Sequence, residues 1–223
     1  MITRHTLHAT DSTGDVSAVL VRPRDAECVY VFGHGAGAGM THTFMERIAE
    51  RLADRRIATL RYNFPYMEGG RKAPNPAPVL VKTVRSVVAE AATLATGLPV
   101  LAGGKSMGGR MTSMAASKEA LPGVRGLAFF GFPLHAPGRD SDERGAHLAS
   151  VGLPMLFLQG TRDKLANLDL LGPLLGRVEP PPTLHVVDGA DHGFHVLKRS
   201  GRTDDEVLDE LCDAFAGWAR SLY

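Results

Sequence analysis

Ser106 lies at the centre of Gly104-Lys105-Ser106-Met107-Gly108, directly after the apolar run Pro99-Val100-Leu101-Ala102-Gly103. A serine between two glycines, where a strand turns sharply into a helix, is a nucleophile turn. Its backbone is strained and its hydroxyl stands clear above the sheet. The glycines are needed because a Cβ at either flank would strike the neighbouring strand or helix. Met107 to Lys118 is compatible with the helix that such a turn must enter. A serine hydroxyl is a poor nucleophile at neutral pH. It needs a base within hydrogen-bond reach and a third group to fix the tautomer of that base.

Nine histidines compete for the role of base. His192, in Gly189-Ala190-Asp191-His192-Gly193-Phe194, follows the last apolar run and precedes the final helical segment, which is where the base of such a turn belongs. His195, three residues on, is its rival. The acid should fall between serine and histidine along the chain. Asp163 does so, in Gly160-Thr161-Arg162-Asp163 after the run Met155 to Gln159. It could also cap a helix over Leu165 to Leu175, and the two roles are compatible. Asp188 and Asp191 are nearer to His192 in sequence, but a loop neighbour is rarely aimed at the same ring.

An oxyanion formed at Ser106 needs two preplaced donors, each worth about 3 kcal/mol in the transition state. The backbone N–H of Met107 is one candidate. The loop Gly33-His34-Gly35-Ala36-Gly37-Ala38-Gly39-Met40 offers the other, Ala36 first and Gly37 next. The same loop permits a different chemistry, because Gly33 to Ala38 also fits the dinucleotide fingerprint G-x-G-x-x-A. Arg61 could then hold a 2′-phosphate. That reading leaves Ser106, Asp163 and His192 unexplained and places other strands before the supposed first one. A metal site is disfavoured, since His5-x-x-His8 and His192-x-x-His195 lack a third ligand. The chemistry requires neither a metal nor an organic cofactor.

Alternating strands and helices must position these groups. Strands are expected at Val16 to Val21, Cys28 to Phe32, Ile57 to Arg61, Val100 to Gly103, Val124 to Gly131, Met155 to Gly160 and Thr183 to Val187, with a weaker one near Thr3 to His8. Helices are expected at Phe44 to Arg55, with Phe44, Ile48 and Leu52 on one face, and at Val79 to Leu94. A final helix capped by Asp204 and Asp205 would bury Val207, Leu208, Leu211, Phe215, Trp218 and Leu222. The order implies an α/β fold: a mostly parallel sheet with helices on both faces. Reactive groups then gather at the carboxyl ends of the strands. His34 to Met40, Ser106, Asp163 and His192 all fall there.

The chain has 223 residues, 44% of them apolar, and a net charge of +1. With no repeat or internal linker, one domain over residues 1–223 is expected. The interspersed charges give no electrostatic case for nucleic acid or an anionic membrane. No run approaches the roughly 20 apolar residues of a membrane span, and no signal peptide is legible. Cys28 and Cys212 read as two buried thiols in a reducing compartment. The expectation is a cytoplasmic protein.

Further strings recur together in one branch of a known superfamily. They are His34-Gly35-Ala36-Gly37-Ala38-Gly39-Met40, Tyr62-Asn63-Phe64-Pro65-Tyr66-Met67-Glu68, Arg71-Lys72-Ala73-Pro74-Asn75-Pro76, Gly104-Lys105-Ser106-Met107-Gly108-Gly109-Arg110 and Phe132-Pro133-Leu134-His135. From about residue 30 to 195 the chain resembles the small KANL/Tex-type α/β-hydrolase-like proteins, a group with bacterial stand-alone members related to dienelactone hydrolase. The resemblance implies the alpha/beta-hydrolase fold and a Ser-Asp-His triad on Ser106, Asp163 and His192. It implies no particular substrate. Some members serve as subunits of chromatin-modifying assemblies, so a catalytically silent binding module is the alternative to an enzyme. Relatives commonly follow the acid with an aromatic residue and a glycine; here Lys164-Leu165-Ala166 stands in their place.

The interval Phe132 to Leu153 has room for one short helix, so no large cap domain is expected. The expectation is an open site suited to a small ester, thioester or other acyl substrate and poor at burying a long acyl chain. His34, Gly35, Phe64, Tyr66 and His135 are candidate substrate contacts. Arg61, Arg71 and Lys72 could meet an anionic group, although plain solvation is the simpler account, and Arg110 is expected to donate to loop carbonyls. Acyl transfer and perhydrolysis on the same triad stay open, as do a protein partner and a homo-oligomer.

Overall fold

A computed structural model describes residues 1–223. Its strands are β1 Ile2–Thr10, β2 Gly14–Val21, β3 Cys28–Gly33, β4 Ile57–Tyr62, β5 Val100–Lys105, β6 Val124–Phe130, β7 Met155–Gly160 and β8 Thr183–Val187. They form one sheet in the order β1-β2-β4-β3-β5-β6-β7-β8. β1 pairs antiparallel with β2, and β2 antiparallel with β4. The remaining strands, from β4 across to β8, are parallel. The weak signal near Thr3 to His8 is a full edge strand. A parallel sheet covered on both faces requires continuous apolar runs, and all six residues of β3 are buried. Tyr30 and Phe32 point into one apolar cluster, Val29 and Val31 into the other.

Helices α1 Thr43–Asp54 and α6 Asp204–Arg220 cover one face. Helices α3 Ala77–Leu94, α4 Met107–Lys118 and α5 Leu168–Leu175 cover the other. A single turn, α2 Pro65–Glu68, follows β4. In α1, Ile48 and Leu52 are buried as their spacing predicts, and Met45 and Ala49 join them. Phe44 is only half-buried and turns toward a cavity beside Ser106.

Two helix starts differ from expectation. The cap of α6 is Thr203, in a reciprocal capping box with Glu206. Asp204 instead accepts from the Val196 amide, and Asp205 receives Arg47 and Arg51. Helix α5 begins at Leu168 behind the cap Asn167. Asp163 first accepts the Leu165 N–H at 2.8 Å, closing a turn before the helix.

Helices α1 and α6 are also joined by a ladder of ion pairs. Arg47 and Arg51 on α1 and its C-cap Arg55 recur every four residues and meet Asp205, Asp209 and Asp213, spaced the same way along α6. The carboxylates are exposed, so each rung is worth roughly 0.2–1 kcal/mol. Between β6 and β7 the chain forms one short 3-10 segment, Glu143–Ser150. No cap domain is inserted there. No helix is long and apolar enough to cross a membrane.

Candidate active site

Ser106 sits between β5 and α4 with φ 50° and ψ −115°, a left-handed conformation that L-residues avoid. Its strain is held from both sides: its N–H donates to Phe130 O at 3.1 Å, and its C=O accepts the Arg110 N–H at 3.1 Å. The turn also explains its glycines. A Cβ on Gly104 would lie 2.4 Å from Gly33 O, and one on Gly108 would lie 2.3 Å from the same atom.

His192 reaches this hydroxyl from the loop after β8. Its Nε2 lies 2.9 Å from Ser106 Oγ, and its Nδ1 lies 2.7 Å from Asp163 Oδ2. Since the carboxylate accepts, Nδ1 carries the proton and Nε2 offers its lone pair to the serine. The Asp163 side chain is fully buried. Three donors hold it: His192, Gln159 Nε2 at 2.5 Å and the Leu165 amide. Gln159 also accepts the Phe132 N–H at 2.9 Å, tying the acid to the chain leaving β6. Sequence reasoning missed Gln159. Its signal was a polar side chain in the otherwise apolar Met155-Leu156-Phe157-Leu158 run.

The rivals are engaged elsewhere. His195 Nδ1 lies 2.6 Å from Asp204 Oδ2. Asp191 accepts the amides of Gly193 and His195, and Asp188 accepts the Thr161 hydroxyl. A second Ser–His contact, Ser113 Oγ to His147 Nε2 at 2.7 Å, involves a buried serine on α4 and has no carboxylate partner. No group of three or more His, Cys, Asp or Glu is placed to hold a metal ion.

Across from Ser106, Gly37 N–H donates to the Tyr66 hydroxyl at 3.0 Å, while the Ala36 N–H makes no hydrogen bond within the protein. Met107 begins α4, so its N–H belongs to the helix's unpaired first turn. Gly35 lines the cavity beside Ser106. The other expected substrate contacts do not, and their assignment is corrected. His34, Phe64 and Tyr66 are fully buried. His34 donates from Nδ1 to Gly35 O at 2.7 Å and accepts the Phe64 N–H on Nε2 at 3.0 Å. Burial lowers its pKa to about 4. His135 is 4% exposed and accepts the Asn167 N–H, in a separate hollow behind Asp163. These side chains brace the loops that carry the site.

Arg61 is buried and donates to Met40 O at 3.0 Å. Arg71 and Lys72 are exposed and lie outside the cavity. Arg110 donates no side-chain hydrogen bond, contrary to expectation, and its Nε is buried without a partner. Lys105 stands inside the Gly104–Gly108 string, where the motif assigns it no role. It donates to the backbone carbonyl of His192 at 2.5 Å.

The cavity beside Ser106 has a volume of about 570 Å³. Phe44, Met45, Leu165, Phe194 and Leu208 supply its apolar walls, with Arg47, His42 and His195 also in the lining. Phe44 and Met45 of α1 and Leu208 of α6 extend the cavity away from the serine.

Residues 26–220 match the family described as Alpha/beta hydrolase domain, and the chain belongs to that family. Its fold is similar to that of a dienelactone hydrolase from Anabaena variabilis, at TM-score 0.76 and 18% identity, covering 99% of this chain and 98% of that one. It is also similar to a lid-less a/b serine hydrolase from Xanthomonas campestris, at TM-score 0.75 and 18% identity, with 99% and 94% covered. An esterase domain from a Rhodothermus marinus protein gives TM-score 0.74 and 17% identity, with 99% and 98% covered.

Proposed function

We propose that this alpha/beta hydrolase is a serine esterase or thioesterase with Ser106 as nucleophile, His192 as base and Asp163 as the orienting acid. The observation that carries this reading is the imidazole lying 2.9 Å from the serine oxygen and 2.7 Å from the carboxylate. His192 Nε2 takes the Ser106 proton as Oγ bonds to the substrate carbonyl carbon. The carbonyl oxygen becomes an oxyanion held by the Ala36 and Met107 amides. His192 passes the proton to the leaving alcohol or thiol, and an acyl-serine remains. A water then gives its proton to Nε2 and attacks the acyl carbon. Release of the acid returns the proton to Ser106. Asp163 orients and stabilises the imidazolium and keeps its charge throughout.

The apolar walls around Phe44, Leu165 and Leu208 favour an uncharged acyl group of medium size. The string Lys105 to Arg110 supports membership of the KANL/Tex-type branch, and two free buried thiols accord with a cytoplasmic setting. A fluorophosphonate probe tests the proposal. Labelling of the wild type but not of Ser106→Ala is the expected result. A folded wild type that takes no label would overturn it in favour of a binding module.

A further inference from the structure

We infer that Lys105 is a positioning residue: it fixes the His192 ring between Ser106 and Asp163 by gripping the backbone carbonyl of His192 itself. The inference rests on the triad reading above. It goes further, because it gives a role to a side chain that neither attacks, accepts a proton nor stabilises an oxyanion.

The geometry is specific. Lys105 is the residue before the nucleophile, so its backbone shares the strained turn. Its Nζ leaves that turn to donate to His192 O at 2.5 Å, across 87 positions of sequence. One side chain thereby fixes the nucleophile's strand end to the base's loop. The ammonium lies 5.6 Å from the centre of the Phe44 ring and 5.3 Å from that of Phe194. The two rings are stacked at 5.9 Å, and their faces stabilise a cation. Room for this arrangement comes from Gly131, where φ is +68°. A Cβ there would lie 3.0 Å from Lys105 Nζ and 3.3 Å from His192 Nδ1.

No carboxylate forms a salt bridge with Lys105, in a protein whose surface arginines are paired freely. Desolvation is the main influence on the ammonium and lowers its pKa to about 8, with Asp163 and Asp191 opposing that shift. Holding an amine here is unfavourable for the fold. A methionine would fill the same space beside the two phenylalanines without that cost. The groups facing Nζ are Asp163 on the β7 loop and Asp191 and His192 on the β8 loop. Of these, only the His192 carbonyl is within hydrogen-bond distance.

The test compares Lys105→Met, Lys105→Gln and Lys105→Arg with wild type on p-nitrophenyl butyrate, subtracting the Ser106→Ala rate at each pH. Lys105→Met should lower kcat at least tenfold with KM changed less than twofold and with no fall in Tm. Lys105→Gln keeps a neutral donor and should recover part of kcat. Wild-type kcat should decline above pH 8, as the ammonium loses its proton and its charge-assisted bond weakens. Lys105→Arg, which stays charged, should lack that decline. A readout free of turnover is the downfield Nδ1–H proton resonance of His192, expected sharp in wild type and in Ser106→Ala but broadened in Lys105→Met. Unchanged kcat and an unchanged resonance in folded Lys105→Met would overturn the assignment. So would equal losses of kcat and Tm in all three variants. Absence of any Ser106-dependent turnover would instead sink the esterase reading, and the resonance would still decide whether Lys105 positions the ring.

Discussion

The Tyr66 hydroxyl accepts the Gly37 N–H, and so commits that amide to the fold while its neighbour at Ala36 stays free. A residue just beyond β4 thus leaves Ala36 as the amide of this pair without a partner in the protein. Tyr66→Phe keeps the buried ring and removes the acceptor. A lost buried hydrogen bond is worth about 0.5–1.5 kcal/mol, so kcat should fall about three- to tenfold on p-nitrophenyl butyrate with KM little changed. Unaltered kcat would show that the Gly37 amide needs no such restraint.

Gln159 should matter through the carboxylate it holds. Gln159→Leu strips one donor from Asp163 and leaves the Phe132 N–H buried without an acceptor. The expected cost in stability is about 1–3 kcal/mol by urea unfolding, accompanied by a lower kcat. Gln159→Glu should be worse than Gln159→Leu near neutral pH, because it sets a second carboxylate against Asp163. The reverse order would count against this account of the acid.

His34 makes the fold sensitive to acid. Its native pKa, near 4, lies below the roughly 6.5 of an unfolded histidine. Between those values the unfolded chain binds the extra proton, so stability rises with pH. The contribution is complete above about pH 6.5 and is lost as pH falls through the window toward 4. Tm recorded from pH 7.5 to 4 should drop along this interval, and the slope should flatten in a folded His34→Gln variant. An equal slope in both proteins would assign the acid sensitivity to other groups, His147 first, since burial lowers its pKa to about 4 as well.

The cavity predicts an order of substrates. Activity on p-nitrophenyl esters should rise from acetate toward butyrate and octanoate as the acyl chain covers Phe44 and Leu208, at about 0.8 kcal/mol for each methylene fully buried. Leu165→Phe should shift the preference back toward acetate while leaving fluorophosphonate labelling intact. Acetate preference in wild type would mean that the apolar walls serve the leaving group instead.

The sheet and most helices were legible because burial on both faces imposes continuous apolar strands, and one-sided burial imposes helical spacing. Chain order and strand ends singled out Ser106, Asp163 and His192. Direction was not legible. His34 lies in the glycine loop and Phe64 and Tyr66 just after β4, and nothing in those positions along the chain says whether a side chain faces the cavity or the core. His135 was misread for the same reason. Gln159 and Lys105 were missed because their partners lie far along the chain: Lys105 binds a carbonyl, which every residue possesses and no side-chain motif can advertise.

The arginine–aspartate ladder between α1 and α6 bears on when the protein can work. It clasps two walls of one cavity, Phe44 and Leu208, that are made more than 160 positions apart. During synthesis Ser106, Asp163 and His192 are all made before Asp205, Asp209 and Asp213. The nascent chain therefore holds Ser106, Asp163 and His192 before the cavity beside them has its α6 wall, which waits for the helix carrying Leu208 to be made and to dock.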